Sequence, residues 1–300
     1  MAVTLATFNV KDLLEPRLDA KLAWIAAAIA RCDADVVGLQ EIGPPALLDA
    51  VVDRIAPAGS RGGYLAPLVG TADARGIRCA LLSRLPPVHA QVHTTDALPF
   101  PVFRVGDPPP FGARIPLRRG IVHARVDAPG LGLVDVFVAH FKSSRPVPLR
   151  DAAGSEIATD RPRGRAEGTV RGMSWRAAEA LFVRGLVDDV QAARSDALVA
   201  VMGDLNDVPD SPVLRVARGE GPGELLDCAA RVEARERFST IHDGRRIQID
   251  HVLASPPLYA HLASARFVNE GLRMHDPLPP SGVAAPTVDS DHAPFVVRFG

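Results

Sequence analysis

The sequence predicts an α/β fold in which two packed sheets are flanked by helices. Three observations carry that expectation. The first third alternates short apolar runs with amphipathic stretches in the order β-α-β-α-β. The middle, from Val88 to His140, is a succession of β-like runs. The clearest helix, Trp175 to Ala193, stands just before another apolar run that ends at Asp204.

Taken in order, residues 4–9 read as a strand and Lys21 to Cys32 as an alanine-rich helix. Residues 35–40 read as a buried strand. Pro44-Pro45 opens a second helix to about Ile55, since a first turn does not need the N–H that proline lacks. Gly63 to Val69 and Ile77 to Ser83 read as strands, the latter stopped by Arg84-Leu85-Pro86-Pro87. Val88 to Thr94, Arg119 to Val126 and Leu133 to His140 follow as further strands. In the helix from Trp175 to Ala193, Ala177, Ala180, Leu181, Leu186, Val187 and Val190 share one face. After the strand ending at Asp204 come a short helix near Pro212 to Ala217 and strands near 247–253, 264–269 and 293–299. Residues 96–118 and 143–172 read as irregular. The second stretch carries Arg145, Arg150, Arg161, Arg163, Arg165 and Arg171, and it begins directly after His140. A loop of that length is expected to be functional, here a substrate-contacting flap inserted at the rim of a site. The alternative is a solvated insertion whose arginines pair with Asp151, Glu156, Asp160 and Glu167.

Composition narrows the function classes. The chain has 300 residues, 47% hydrophobic and 23% charged, enough apolar material for a sizeable core. No apolar run reaches membrane-spanning length, and the first residues enter a strand without the charged and apolar regions of a signal peptide. Cys32, Cys79 and Cys228 are odd in number and widely separated, so they make neither a disulfide framework nor a zinc pattern, and a cytoplasmic location is expected. A net charge of −1 argues against a surface coated in cations for long-range attraction to a polyanion, but leaves room for a local basic groove.

The chemistry sits where the apolar runs end. Val199 to Gly203 leads to Asp204, Leu205 and Asn206, and in an extended chain residues i and i+2 share a face. That places a carboxylate and an amide side by side. Asx side chains also bond nearby backbone, so turn chemistry is the plainer alternative for this pair alone. Four more runs finish alike: at Asn9, at Gln40-Glu41, at His140-Phe141-Lys142 and at Asp250-His251. Asp289-Ser290-Asp291-His292 precedes the last apolar run. Polar sites gather at strand ends because the sheet is a rigid platform.

With T-F-N at 7–9, Q-E at 40–41, A-H at 139–140, G-D-x-N at 203–206, I-D at 249–250 and S-D-H at 290–292, the chain resembles the endonuclease/exonuclease/phosphatase superfamily of deoxyribonuclease-I-like metal-dependent phosphoesterases. The resemblance runs from residue 5 to residue 299. It implies a four-layer α/β/β/α sandwich of two mainly antiparallel mixed sheets, forming one catalytic domain over 1–300. It also implies an Asp250–His292 pair, Asp204 and Asn206 orienting a nucleophile and a phosphate oxygen, and Asn9 supporting metal and phosphate. His140 would contact the phosphate and act as an acid.

Hard oxygen donors without a cysteine cluster suit Mg²⁺ or Mn²⁺ better than zinc. Glu41 is the leading ligand and Asp291 a second; a helix-start or surface carboxylate is the alternative for Glu41. His292 reads as a base or phosphoryl contact with Asp250 as its orienting partner. Whether Asp204 or His292 takes the proton from water, and how many metals act, stays open. Lys142 shares the face of His140 if the strand continues, and would add a cation at the phosphate; a strand-end surface lysine is the alternative. Arg78 stands before an apolar strand and is a further phosphate candidate. His89, His93 and His123 lie in strand-like runs, His242, His251, His261 and His275 are scattered, and no H-E-x-x-H helix occurs, so no zinc site is expected from them. The expected activity is hydrolysis of nucleic-acid phosphodiester bonds by in-line water attack, in a monomer. The alternatives are a phosphatase or phosphodiesterase for a small or lipid-derived phosphate, and a decayed binding module.

Overall fold

The structure, a computed structural model, describes residues 2–14, 19–55, 62–98, 115–150, 156–157, 162–274 and 288–300. The elements in order are β1 (Val3–Leu13), α1 (Asp19–Cys32), β2 (Val36–Ile42), α2 (Pro45–Ile55), β3 (Leu68–Val69), β4 (Arg78–Ser83), β5 (Pro87–His93), β6 (Ile121–Ala128) and β7 (Gly132–His140). Then follow β8 (Leu149–Arg150), β9 (Glu156–Ile157), α3 (Pro162–Ala193), β10 (Leu198–Asp204), α4 (Pro212–Arg218), β11 (Leu226–Asp227), β12 (Thr240–His242), β13 (Arg245–Ile247), β14 (Asp250–Ala254), α5 (Pro256–Tyr259), β15 (Leu262–Phe267) and β16 (Phe295–Phe299).

The strands form two six-stranded sheets, in the orders β15-β16-β1-β2-β4-β3 and β11-β14-β10-β7-β6-β5. Each sheet is mixed: β1 pairs parallel with β2 and β7 parallel with β10, and the other pairings within the two sheets are antiparallel. The inner faces pack Leu5, Val36 and Leu81 against Val138, Met202 and Val252. Gly38 lies at this contact because a Cβ there would meet Met202 Cε and Val138 Cγ2 at 2.9 Å. The outer face of the first sheet is covered by α1 and α2 through Leu22, Ile25, Ile29, Leu47, Leu48 and Val51. The outer face of the second is covered by α3 and α4 through Ala180, Val183, Val187 and Leu214. Burying each Leu, Ile or Val contributes roughly 1.5–3 kcal/mol, so four apolar-faced layers in one stack are the arrangement the pattern favours. This is the expected α/β/β/α sandwich. No helix among the described residues is long and apolar enough to cross a membrane.

Three sequence expectations are corrected. The strand expected over 63–69 contracts to β3: Pro67 has no N–H for the ladder and interrupts it, although Leu65 N before it still donates to Ser83 O of β4 at 2.8 Å. Residues 143–172 are not irregular throughout: α3 begins at Pro162, thirteen residues before Trp175. Its early turns lack an apolar stripe because they pack through glycine. A Cβ at Gly168 would meet Pro146 Cβ at 2.9 Å and Val147 O at 3.0 Å, and Val147 N donates to Gly168 O at 2.9 Å. The strand expected near 247–253 splits into β13 and β14. Residues 99–114, most of the other irregular stretch, lie outside the described residues, as do 151–155, 158–161 and His275.

Candidate active site

The register across the second sheet sets the site. Asp204 at the end of β10 pairs with His140 at the end of β7 on one side and with Asp250 at the start of β14 on the other. Residues paired across strands project from the same face. Two positions back along the strands, Val138, Met202 and Val252 project into the inter-sheet core. His140, Asp204 and Asp250 therefore form the polar end of that core row. Asn9, paired with Gln40, ends the matching row of the first sheet. This register demands glycine at 203: a Cβ there would stand 1.8 Å from Ala139 O, at φ 151°.

The side chains meet across the gap. Asn9 Nδ2 donates to Asp204 Oδ2 at 2.9 Å and to Glu41 Oε1 at 3.4 Å, and its Oδ1 accepts from Lys11 N at 2.9 Å. Glu41 Oε2 accepts from Asp12 N at 2.7 Å. One amide thus joins β1, β2 and β10. His292 Nδ1 lies 2.7 Å from Asp250 Oδ2, while its Nε2 lies 4.0 Å from Asp204 Oδ2. His140 Nε2 lies 3.4 Å from the same oxygen. Asn206 N donates to Asp204 Oδ1 at 3.0 Å, and its side chain donates to Phe141 O at 3.1 Å. The turn at Asp204 and the convergence of side chains are thus both present. Lys11, Asp12, Glu41 and Asn206 all hold positive φ, between 46° and 62°. Each such non-glycine residue costs on the order of 1–3 kcal/mol, a strain that proteins concentrate at functional sites.

Burial and charge explain the ionisation of the cluster. Burial raises Asp204 to about 7; His292 opposes the shift and Asp250 adds to it. Burial also raises Glu41, and the Asp12 charge adds to that rise. For His292 burial acts downward, but the charges of Asp250 and Asp204 outweigh it and raise the imidazole to about 10. His140 goes the other way: burial first, then the Arg119 guanidinium, hold it well below its ordinary value. Arg119 Nη1 sits 3.0 and 3.1 Å from the two ring nitrogens of His140, and Nη2 donates to Phe141 O at 3.0 Å. Of two histidines flanking one carboxylate, one is a cation and the other neutral.

Other expected site residues sit elsewhere. Lys142 does not continue the strand, because β7 ends at His140. Its Nζ donates to Ser143 O at 2.7 Å, Arg145 O at 2.9 Å and Ser143 Oγ at 3.2 Å, which corrects its assignment as a phosphate contact. The Arg78 guanidinium donates to Gly43 O, backbone of the turn after β2. Asp291 Oδ2 pairs with Lys11 Nζ at 2.9 Å and is not part of the convergent acid–imidazole group, which is Asp204, Asp250 and His292.

Several positioning residues lie outside the candidates read from the sequence. Ser239 Oγ accepts from the backbone N of Ile249 and Asp250, setting the start of β14. Ser290 Oγ donates to Asn9 O at 2.7 Å and accepts from His292 N at 3.0 Å, pinning the His292 turn to β1. Ser290 lies in the S-D-H motif, where it could have been found. Arg119, at the edge of an arginine-rich stretch, could not. Glu179 on α3 accepts from Lys142 N at 2.6 Å through Oε2.

The cluster fits a hard divalent cation. Asp204, Asp250 and His292 offer their ligand atoms close together, Glu41 shares the Asn9 amide with Asp204, and Asp250 Oδ1 is buried without a partner. Oxygen-rich sets of this kind suit cations that keep water and phosphate as further ligands.

The family described as the Endonuclease/Exonuclease/phosphatase family matches residues 6–292. No curated protein matches. Among solved structures, truncated Caenorhabditis elegans TDP2 superposes with TM-score 0.61 at 15% identity, over 100% of this chain and 97% of that one. D. rerio TDP2 complexed with single-strand DNA product gives 0.60 at 15%, over 100% and 99%. The human Nocturnin catalytic domain with bound sulfate anion gives 0.61 at 15%, over 100% and 94%.

Proposed function

The chain belongs to the endonuclease/exonuclease/phosphatase family, a family of divalent-metal-dependent phosphoric ester hydrolases, and on that premise we propose that it hydrolyses nucleic-acid phosphodiester bonds by in-line attack of water. The observation that carries this reading is the Asn9 amide, which holds Glu41 and Asp204 together beside the Asp250–His292 pair. A bound cation, Mg²⁺ or Mn²⁺ by donor chemistry, would be held at Glu41 with support from Asn9 and would supply charge relief for the phosphoryl oxygens.

The remaining roles belong to the chain. Asp204, fixed by Asn9 and the Asn206 amide, accepts the proton of the attacking water. His292, oriented by Asp250, presents Nε2–H to a phosphoryl oxygen. His140, kept neutral by burial and Arg119, contacts a second oxygen as a hydrogen-bond donor.

A polymeric substrate is supported by a partly exposed arginine, Arg118, next in the chain to the buried Arg119 that contacts His140. Arg118 lies over the Trp175 ring at 5.5 Å. Cations beside an aromatic ring match a phosphate backbone with stacking bases. The likeness to a TDP2 bound to single-strand DNA points the same way.

The test is an assay of single-stranded DNA, duplex DNA, RNA and small phosphate esters with Mg²⁺, Mn²⁺ or EDTA. Metal-dependent cleavage of a polymer, lost in Asp204→Asn, is the expected result. Turnover confined to small phosphomonoesters would replace this substrate class with the small-phosphate alternative.

A further inference from the structure

The outer face of the second sheet gathers a second group of metal-competent side chains, on the side opposite the catalytic row. Val122 and Ala124 of β6 face the inter-sheet core, so His123 between them faces outward. In the edge strand β5, Gln91 pairs with His123, which puts His89 and His93 on that same outer face. The His123 ring stacks on Phe137 with centroids 4.0 Å apart, and its centroid lies 5.5 Å from those of both His89 and His93.

The hydrogen bonds fix how His123 presents itself. Its Nε2 lies 2.8 Å from Asp135 Oδ1. Asp135 also accepts from Arg125 Nε at 2.9 Å and from the Arg194 guanidinium. A carboxylate so paired only accepts, so His123 Nε2 carries the proton and Nδ1 offers a lone pair. That lone pair faces His93 Nε2 at 3.4 Å. Without an ion, His93 Nε2–H donates a hydrogen bond across this gap. The spacing also matches the roughly 3.3 Å between two nitrogens on one tetrahedral zinc, as Zn–N bonds of about 2.0–2.1 Å require. A carboxylate orienting one ligating imidazole is the usual outer partner of a protein metal site.

We propose that His93 and His123, joined by a rotation of the exposed His89 side chain, bind one divalent ion of the zinc class on the outer face of β5 and β6. Imidazole nitrogens select Zn²⁺, Co²⁺ or Ni²⁺ over Mg²⁺, so this site and the oxygen-rich catalytic one draw different ions. Asp135 acts as the orienting partner of His123. The open edge of β5 leaves a further position to solvent. The spacing of these histidines along the chain predicted no zinc site; the pairing of β5 with β6 makes the difference.

The experiment is calorimetric titration of the metal-free full chain with Zn²⁺, and with Co²⁺ followed by visible absorption, in the natural sequence and in His93→Ala, His89→Ala and Asp204→Asn. His89 and His93 lie at the accessible edge, so these variants are expected to fold, and thermal melts check it. The expected result is one ion equivalent that survives Asp204→Asn, disappears in His93→Ala and weakens at least tenfold in His89→Ala. Binding that is lost in Asp204→Asn and unchanged in folded His93→Ala would overturn the site. So would a folded natural chain that takes up no Zn²⁺.

Discussion

The two helical layers cover similar sheets with opposite chemistry. The inner face of α1 is Leu22, Ile25, Ala26, Ala28, Ile29 and Cys32, with one lysine, Lys21, reaching back to the Lys11 carbonyl. The inner face of α3 interleaves Ala178, Ala180, Val183 and Val187 with the buried charges Arg176, Glu179 and Arg184. Arg176 holds Ser143 O and Asp207, each at 3.1 Å, and Glu179 holds Lys142 N. Arg184 holds Arg218 O and Gly223 O. These partners lie just past the ends of β7 and β10 and around α4. One cover is an ordinary apolar lid. The other fixes the loops that leave His140 and Asp204, so buried charge is used where the catalytic end must be held in place.

That contrast can be broken in order of effect. Asp204→Asn should lower kcat by roughly 10²–10⁴-fold, the range for losing a general base, while the melting temperature changes little. A matching loss of stability would show that the carboxylate holds the fold rather than the reaction. Under the apolar cover, Ile29→Ala should cost about 2–5 kcal/mol in urea unfolding and leave kcat unchanged. Under the charged cover the balance should reverse. Glu179→Gln keeps an acceptor for Lys142 N but removes the charge facing Arg119, which contacts His140, so it should unfold near the natural midpoint yet lower kcat roughly tenfold, a barrier change of about 1.4 kcal/mol.

The pH dependence sharpens the same comparison. Burial, outweighing the nearby cations, raises Glu179 from 4.5 to about 7, so the folded chain holds that proton more tightly than the unfolded one. Its contribution is complete below pH 4.5 and is lost as pH rises through 7. Glu179→Gln should remove that slope from melts recorded between pH 4 and 8. The smallest effect is expected at His292. Its rise to about 10 stabilises the metal-free chain below pH 6.5, and this is lost toward pH 10. Asp250→Asn should flatten that decline, and a natural chain equally stable at pH 7 and pH 10 would contradict the pairing.

Legibility in the sequence followed the range of the forces. Strands and helices with a clear period, such as β2, α2 and β10, lie within a residue or two of expectation, because burial of one face writes a local pattern. The start of α3 was hidden because Gly168 and Gly172 pack backbone against the 145–147 segment and leave no apolar stripe. Asn9, Glu41, His140, Asp204, Asn206 and Asp250 stood out because each ends an apolar run, and His292 because it precedes one. Lys142 was misassigned on the assumption that β7 continues past His140. Arg119 and Ser239 gave no signal, since nothing in their neighbours along the chain says what they touch.

The sequence by itself determined which residues end the strands and which faces are apolar, because both follow from chemistry repeated every two or three to four residues. Only the tertiary structure decided which ends meet. Asn9 and Asp204 are 195 residues apart and 2.9 Å away. His93 and His123 became neighbours only through the register of β5 on β6. Such contacts depend on strand register and sheet packing, which many distant residues set together.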